Sequence, residues 1–307
     1  MERTPSLFRA AIALAWAALL CAAPPAQAAT KTVTVEARTR IVDGNREWHE
    51  VRPSSVTFEV ELISDREGTR HEGSRWGRPF VTARPGEEYR VRIHNPLPVP
   101  VAANLSIDGI NSISGDPGTP AEGRKWVIEP FSWVEIAGWQ VSEREARRFV
   151  FTSRAGSYAS WRSNAWGRDL AVNCGVIGVA FFWSQRALDE YYHANPVVIA
   201  RPRWTPGRPD GEREPPPRST MGSSGAPAGE AQQRAGTGMG RHRSNPVREV
   251  RFSFDRGMYE VADALIIYYD FADEEPRPRP FESSGFAPEQ PSGHWRPPHP
   301  PPWRPGR

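Results

Sequence analysis

Hydrophobic and polar residues alternate along most of residues 30–183, the spacing of half-buried strands. Val33–Ala37 and Val56–Leu62 alternate, and so does Tyr89–His94 after the turn Pro85-Gly86-Glu87-Glu88. Asn95-Pro96 stops that strand, because proline cannot donate to a ladder. Leu105-Ser106-Ile107-Asp108-Gly109-Ile110-Asn111-Ser112-Ile113 carries Asp-Gly between alternating hydrophobics and predicts a type I′ hairpin, with positive φ at both central residues. Trp133–Ile136 and Phe149–Thr152 predict further strands. Val176–Trp183 is unbroken rather than alternating and predicts a strand buried on both faces. Ser142-Glu143-Arg144-Glu145 has the spacing of a capping box and predicts a short helical turn. Residues 185–195 predict one short helix around Leu188, Tyr191 and Tyr192, and residues 157–174 predict a loop.

Composition changes after residue 200. Residues 201–244 are rich in Pro, Gly, Arg and Ser, and are expected to be a disordered insertion because they offer little to bury. Strand pattern returns at Val247–Phe254 and Ala264–Phe271. Two strands are too few for a domain, so they are expected to complete the earlier sheet. The tail 276–307 contains eleven prolines and is expected to be extended and exposed. About ten short strands, with no βαβ alternation, predict an all-β antiparallel β-sandwich with a short helix or two. The domain would run from 29 to 275 around the insertion.

Charge and targeting refine this picture. The 39 cations nearly balance 36 anions, which argues against a nucleic-acid footprint. Arg3 and Arg9 precede an apolar run from Ala10 to Ala23, and Ala26-Gln27-Ala28 follows. This is the pattern of a Sec-type signal peptide covering 1–28, cut after Ala28 or Ala29. The run is short for a bilayer span, and no transmembrane span is expected elsewhere. A periplasmic or secreted location follows as an expectation, with Cys174 the one cysteine outside the signal segment.

No nucleophile elbow, phosphate-binding loop or dinucleotide glycine pattern occurs, and no cofactor or metal is expected. Gly236-Thr237-Gly238-Met239-Gly240 reads as flexible chain. Asp108, Asn111 and Asp116 bracket one hairpin, where calcium ligation competes with plain turn chemistry. Ser157, Tyr158, Arg162 and Trp166 lie between two strong strands, where a rigid sandwich presents binding residues. These seven are the candidate ligand-binding positions. Trp126, Trp133, Trp139 and Trp161 are candidates either for the core or for stacking on sugar rings.

Five segments resemble a family of exported proteobacterial proteins of no established activity. They are Leu105–Gly115, Trp126–Pro130, Ile136–Trp139, Phe149–Ser153 with Ser157-Tyr158-Ala159, and Gly175–Ala180. Gly236-Thr237-Gly238, Tyr268-Tyr269-Asp270, Pro280-Phe281 and Gly285-Phe286-Ala287-Pro288 are similar as well. Lys125-Trp126 departs from the family's usual Gly-Tyr, and Trp161 and Trp166 also differ. The resemblance implies export and no particular reaction.

The expected role is a non-catalytic module of the envelope or secretome that binds a protein or glycan, with no nucleic acid. Alternatives are a periplasmic hydrolase using Asp108 or Asp116 with His94, a glycan-binding module using loop tryptophans, and a structural subunit tethered by its Pro-rich tail.

Overall fold

The computed structural model describes residues 28–43, 46–66, 68–69, 73–75, 78–167, 169–200, 234–260, 263–271 and 286. The expected signal peptide, most of the expected insertion and nearly all of the tail lie outside the described residues. In chain order the strands are β1 (Ala29–Asp43), β2 (Arg46–Ser64), β3 (Gly68–Thr69), β4 (Gly73–Arg75), β5 (Arg78–Ala83), β6 (Glu88–His94), β7 (Val101–Ile107) and β8 (Ile110–Asn111). There follow β9 (Trp126–Ile128), β10 (Trp133–Ile136), β11 (Gly138–Gln140), β12 (Glu145–Ser153), β13 (Val176–Trp183), β14 (Val197–Ala200), β15 (Ala235–Ser244), β16 (Arg256–Gly257) and β17 (Leu265–Phe271). Two helices, α1 (Tyr158–Trp166) and α2 (Gln185–Ala194), flank β13 in sequence. Among the described residues no helix is long and apolar enough to cross a membrane.

The strands form two sheets. The first runs β11-β12-β6-β2-β1-β14, with β15 on β12, β10 on β6 and β3 on β2. The second runs β4-β5-β17-β13-β7-β8, with β16 on β13 and β9 on β7. Most neighbours are antiparallel; β1 with β14, and β5 with β17, are parallel. The fold is an all-β sandwich.

The period-two pattern explains which faces meet. Tyr89, Val91 and Ile93 of β6 are buried while their neighbours are only half-buried. They share the interior with Phe58, Val60 and Leu62 of β2 and with Phe149 and Phe151 of β12. The second sheet meets them with Leu105 and Ile107, Ile177, Val179 and Phe181, and Ile267 and Tyr269. Phe58 stacks on Phe181 with centroids 4.1 Å apart, and Phe151 meets Tyr269 at 5.1 Å.

β13 is buried along its whole length, as its unbroken apolar run predicts, between β7 and β17. Its outer face includes Gly178, whose lack of a side chain has a specific reason. A Cβ there would lie 2.6 Å from the ring of Phe286. Phe286 is itself 1% exposed. The expected tail therefore contributes a core residue.

Four other expectations change. Residues 235–244 are not part of a loose insertion; they form β15, paired with β12 over Ser153↔Ala235 to Glu145↔Ser244. Gly236, Gly238 and Gly240 recur at the strand period because that face lies tight against its neighbours. A Cβ on Gly236 would sit 2.7 Å from Ser157 Cβ, and one on Gly240 would sit 2.8 Å from Glu88 Oε1. Residues 247–254, expected as a strand, form none; Val250 is exposed, and Phe252 and Phe254 at the end of the segment are half-buried, with Phe254 against Phe182 at 5.0 Å. Ser142–Glu145 is the bend of the β11–β12 hairpin, because Val141 and Ser142 amides both donate to the Glu145 carbonyl. Residues 158–166, expected as loop, are helical, with Ser157 as the cap.

The outer face of the first sheet carries a run of ion pairs. Arg241 pairs with Glu88, Glu88 with Arg148, Arg148 with Asp65, Asp65 with Arg90, Arg90 with Glu135, Glu135 with Arg92, and Arg92 with Glu61. Partial burial works against ionised Glu88, but its bonds to Arg241 hold its carboxyl below the ordinary value.

Phe286→Ala should lower stability by about 3–5 kcal/mol, the usual loss for a buried phenylalanine. Urea unfolding should show a lower midpoint with an unchanged m-value. A midpoint equal to wild type would place the residue outside the core.

Candidate functional site

The Asp108-Gly109 hairpin joins β7 to β8, and both residues have positive φ, 54° and 79°. The turn is as the sequence predicts, but its aspartate does not face water. Asp108 is 1% exposed. Its Oδ1 accepts from the Gly175 amide at 2.8 Å and from the Tyr269 hydroxyl at 2.7 Å, and its Oδ2 accepts from the Thr237 amide at 2.6 Å. Its own amide donates to the Val176 carbonyl at 2.8 Å. One side chain thus joins the β7–β8 hairpin, the entry to β13, β15 and β17.

A line of hydroxyls extends this cluster. Tyr269 Oη and Thr237 Oγ1 are 2.6 Å apart, and Thr237 Oγ1 and Tyr89 Oη are 2.7 Å apart. The line crosses from the second sheet to the first, since Tyr89 lies on β6. Burial pushes both tyrosines well above the ordinary phenol value, so they remain protonated donors. Burial also pushes the Asp108 carboxyl up, to about 6, against the opposing pull of Tyr269 and of the Thr237, Gly175 and Val176 amides.

The remaining sequence candidates assemble around the same hairpin. Asn111 accepts from the Ile113 and Ser114 amides and donates to Asn104 Oδ1 at 2.7 Å and to the Arg124 carbonyl at 2.8 Å. That is turn chemistry. Asp116 is ion-paired with Arg162, whose guanidinium is buried. Tyr158 packs between Trp139 and Trp161, with its hydroxyl against Gly115. Ser157 caps α1 by accepting from the Ser160 amide at 3.1 Å, and its Oγ lies 3.2 Å from the buried Cys174 Sγ. Trp166 is half-buried against the core.

The structure therefore brings together the 108–116 and 157–166 segments, as an interlocked surface of α1 on the hairpin. The Asp108 and Asp116 carboxylates face different partners. His94 ends β6 at the edge of the 95–100 connection, whereas Asp108 follows the seven residues of β7. That strand separates the two by roughly 20 Å. A shallow depression lined by Gln185, Asp189, Glu190 and Asp255 lies at the Trp183 end of β13, opposite the Val176 end that meets Asp108.

Sequence reasoning missed Thr237, Tyr269 and Tyr89. The signal for Thr237 was the strict alternation Gly-Thr-Gly-Met-Gly, which is a strand whose glycine face is crowded. Tyr269 and Tyr89 were placed on strands, but nothing in one sequence ties a strand tyrosine to a distant aspartate.

Compared with known protein families, with curated proteins and with solved structures, the chain matches none.

The raised Asp108 pKa sets a sign. The folded carboxyl binds its proton more tightly than the unfolded one, whose value is about 3.9. Its contribution to stability is fully present below about pH 4 and is lost as pH rises through about 6. Asp108→Asn should remove this component from the stability–pH curve. Denaturation midpoints of both proteins from pH 4 to 8 check it, and an unchanged slope in the variant would assign it to other groups.

Proposed function

We propose that this chain is an exported, non-catalytic β-sandwich that binds a protein or glycan of the bacterial envelope or secretome. The observation that carries this reading is the engagement of Asp108. The most reactive-looking carboxylate of the sequence accepts three hydrogen bonds from the protein's own backbone and Tyr269, and is 1% exposed. A general acid or base must reach substrate within hydrogen-bond distance. Asp108 instead ties strands together, and Cys174 is equally enclosed at 1% exposed.

Export is supported by the charged start, apolar run and Ala26-Gln27-Ala28. It is also supported by Ala29, which opens β1 and is buried. Cleavage after Ala28 would leave the whole strand in the mature chain. Membership of the exported proteobacterial family is likewise a proposal. In its favour, the resembling segments around Asp108, Gly175, Thr237 and Tyr269 all meet at one carboxylate.

The test uses the mature chain and Asp108→Asn, after both are shown to be folded. Each is sedimented with isolated cell-wall and outer-membrane fractions. Saturable wild-type binding, retained by the variant, is the expected result. Absence of saturable binding to every fraction, or turnover of a hydrolase substrate that Asp108→Asn abolishes, would overturn the reading.

A further inference from the structure

Arg162 is 5% exposed, yet its guanidinium has few partners. A guanidinium carries five N–H donors in a planar fork. Among the described residues one group takes them, Asp116, whose Oδ1 accepts from Nη2. Nε lies on the same edge of the fork as Nη2, and it is buried with no hydrogen-bond partner. Carboxylates bridge such an edge with two parallel bonds. Asp116 therefore fills half of a bidentate site and leaves the buried half empty. Withdrawing that N–H from water carries a penalty that nothing in the fold offsets.

A second donor faces the same place. Tyr158 precedes Arg162 by one turn of α1, so the two share a side of the helix. Its ring is held by Trp139 at 4.8 Å and by Trp161 at 5.3 Å. Its hydroxyl makes no hydrogen bond among the described residues. Burial raises the phenol above its ordinary value, Arg162 pulls it down and Asp116 pushes it up, so the hydroxyl lies in the field of both charges. Gly115 gives it room, since a Cβ there would lie 2.8 Å from the hydroxyl oxygen.

Neither element needs the Asp116 carboxylate to keep its shape. The turn is fixed by backbone, with the Asn111 amide donating to the Asp116 carbonyl at 2.9 Å and the Asp116 amide donating to Ser114 Oγ at 3.3 Å. α1 is capped by Ser157, and the Leu170 amide donates to Ser163 Oγ at 2.9 Å. The Asp116 side chain is 48% exposed. It can swing into water and free the guanidinium while both elements stay folded.

The carboxylate already in place shows what the site accepts, an acidic group on a methylene stem. Glutamate is one methylene longer than Asp116, which lets its carboxylate advance from Nη2 to bridge Nη2 and Nε, with the Tyr158 hydroxyl as a third donor. A phosphate dianion would bring two charges to one guanidinium beside Asp116. A uronate carries its carboxylate directly on a sugar ring, too wide to follow a side chain to donors this deeply buried.

We propose that Arg162 and Tyr158 form a receptor for an acidic side chain of a protein partner, glutamate above all, and that Asp116 is a built-in competitor that yields to it. The proposal rests on the binding-module reading above and names protein as the partner class.

The test titrates the isotopically labelled mature chain with N-acetylglutamate N-methylamide and follows the Arg162 Nε–H resonance. The glutamine analogue, glucuronate and inorganic phosphate are titrated alongside. Wild type, Asp116→Ala, Tyr158→Phe and Arg162→Lys are compared after each is shown to be folded. The glutamate probe should shift the resonance saturably, and the glutamine analogue should not. Asp116→Ala should bind the probe about fivefold or more tightly than wild type, because loss of a competitor raises the fraction of open sites, even as its melting temperature falls. Tyr158→Phe should bind about tenfold more weakly, the usual loss for a hydrogen bond to a charged group, with an unchanged melting temperature. An ion pair that only braces the fold would give no tighter binding on loss of Asp116. That result, no response to glutamate in either protein, or an equal response to glucuronate or phosphate would overturn the proposal. Wild type and Arg162→Lys are then sedimented with cell-wall and outer-membrane fractions, with Tyr158→Phe in place of Arg162→Lys should that variant not fold. Binding lost in the variant supports the site; binding kept in full removes the site and leaves the module reading; binding by neither removes both.

Discussion

A buried carboxylate at the tip of a two-residue turn holds this sandwich together. Taking an aspartate out of water carries a large desolvation penalty unless its lone pairs are satisfied. Here they are satisfied by donors from segments far apart in sequence, at Gly175, Thr237 and Tyr269. None of those donors can be supplied by the hairpin itself. The turn therefore reaches its native environment only when β13, β15 and β17 are in place, which couples local turn chemistry to the global arrangement. The second clasp, Arg162 on Asp116, fixes α1 over the same hairpin. Arg162 is buried whereas Asp116 is half-exposed, so this clasp joins an interior guanidinium to a carboxylate at the surface.

The two faces of the first sheet divide these tasks. Its inner face is aromatic and aliphatic, and Tyr89 carries a hydroxyl to Thr237 from that face. Its outer face alternates arginine and carboxylate from Arg241 to Glu61. Individual exposed pairs of this kind contribute about 0–1 kcal/mol each. Together they link β2, β6, β10, β12 and β15 across that face.

Much of the architecture was legible because period-two burial leaves a direct trace. β6, β10, β13, β17 and the Asp108-Gly109 turn follow from local pattern alone, and so does α2. The failures share a cause: tertiary contact overrode local composition. Gly236–Gly240 looked like flexible chain, yet it is a strand, and at Gly236 a Cβ would meet Ser157 at 2.7 Å. Phe286 lies in the tail expected to be exposed, yet it is buried where Gly178 leaves a space for it. α1 has little amphipathic pattern, so its helix depends on the Ser157 cap and on contacts with the hairpin. For the candidate site, the sequence singled out 108–116 and 157–166 as separate segments, and their meeting depends on tertiary contacts such as Arg162 with Asp116. That Asp108 would point inward was not legible, because a sequence records the carboxylate but not the donors that surround it.

The position of β17 has a consequence for how the molecule is made. It is the last strand in the chain among the described residues, yet it lies inside the second sheet, between β5 and β13. Until residue 271 has emerged, β5 and β13 have no bridge, Asp108 lacks one of its donors, and the interior stays open. Completion of the second sheet is therefore a late event in the synthesis of the chain, since its two halves are joined by the last of the described strands.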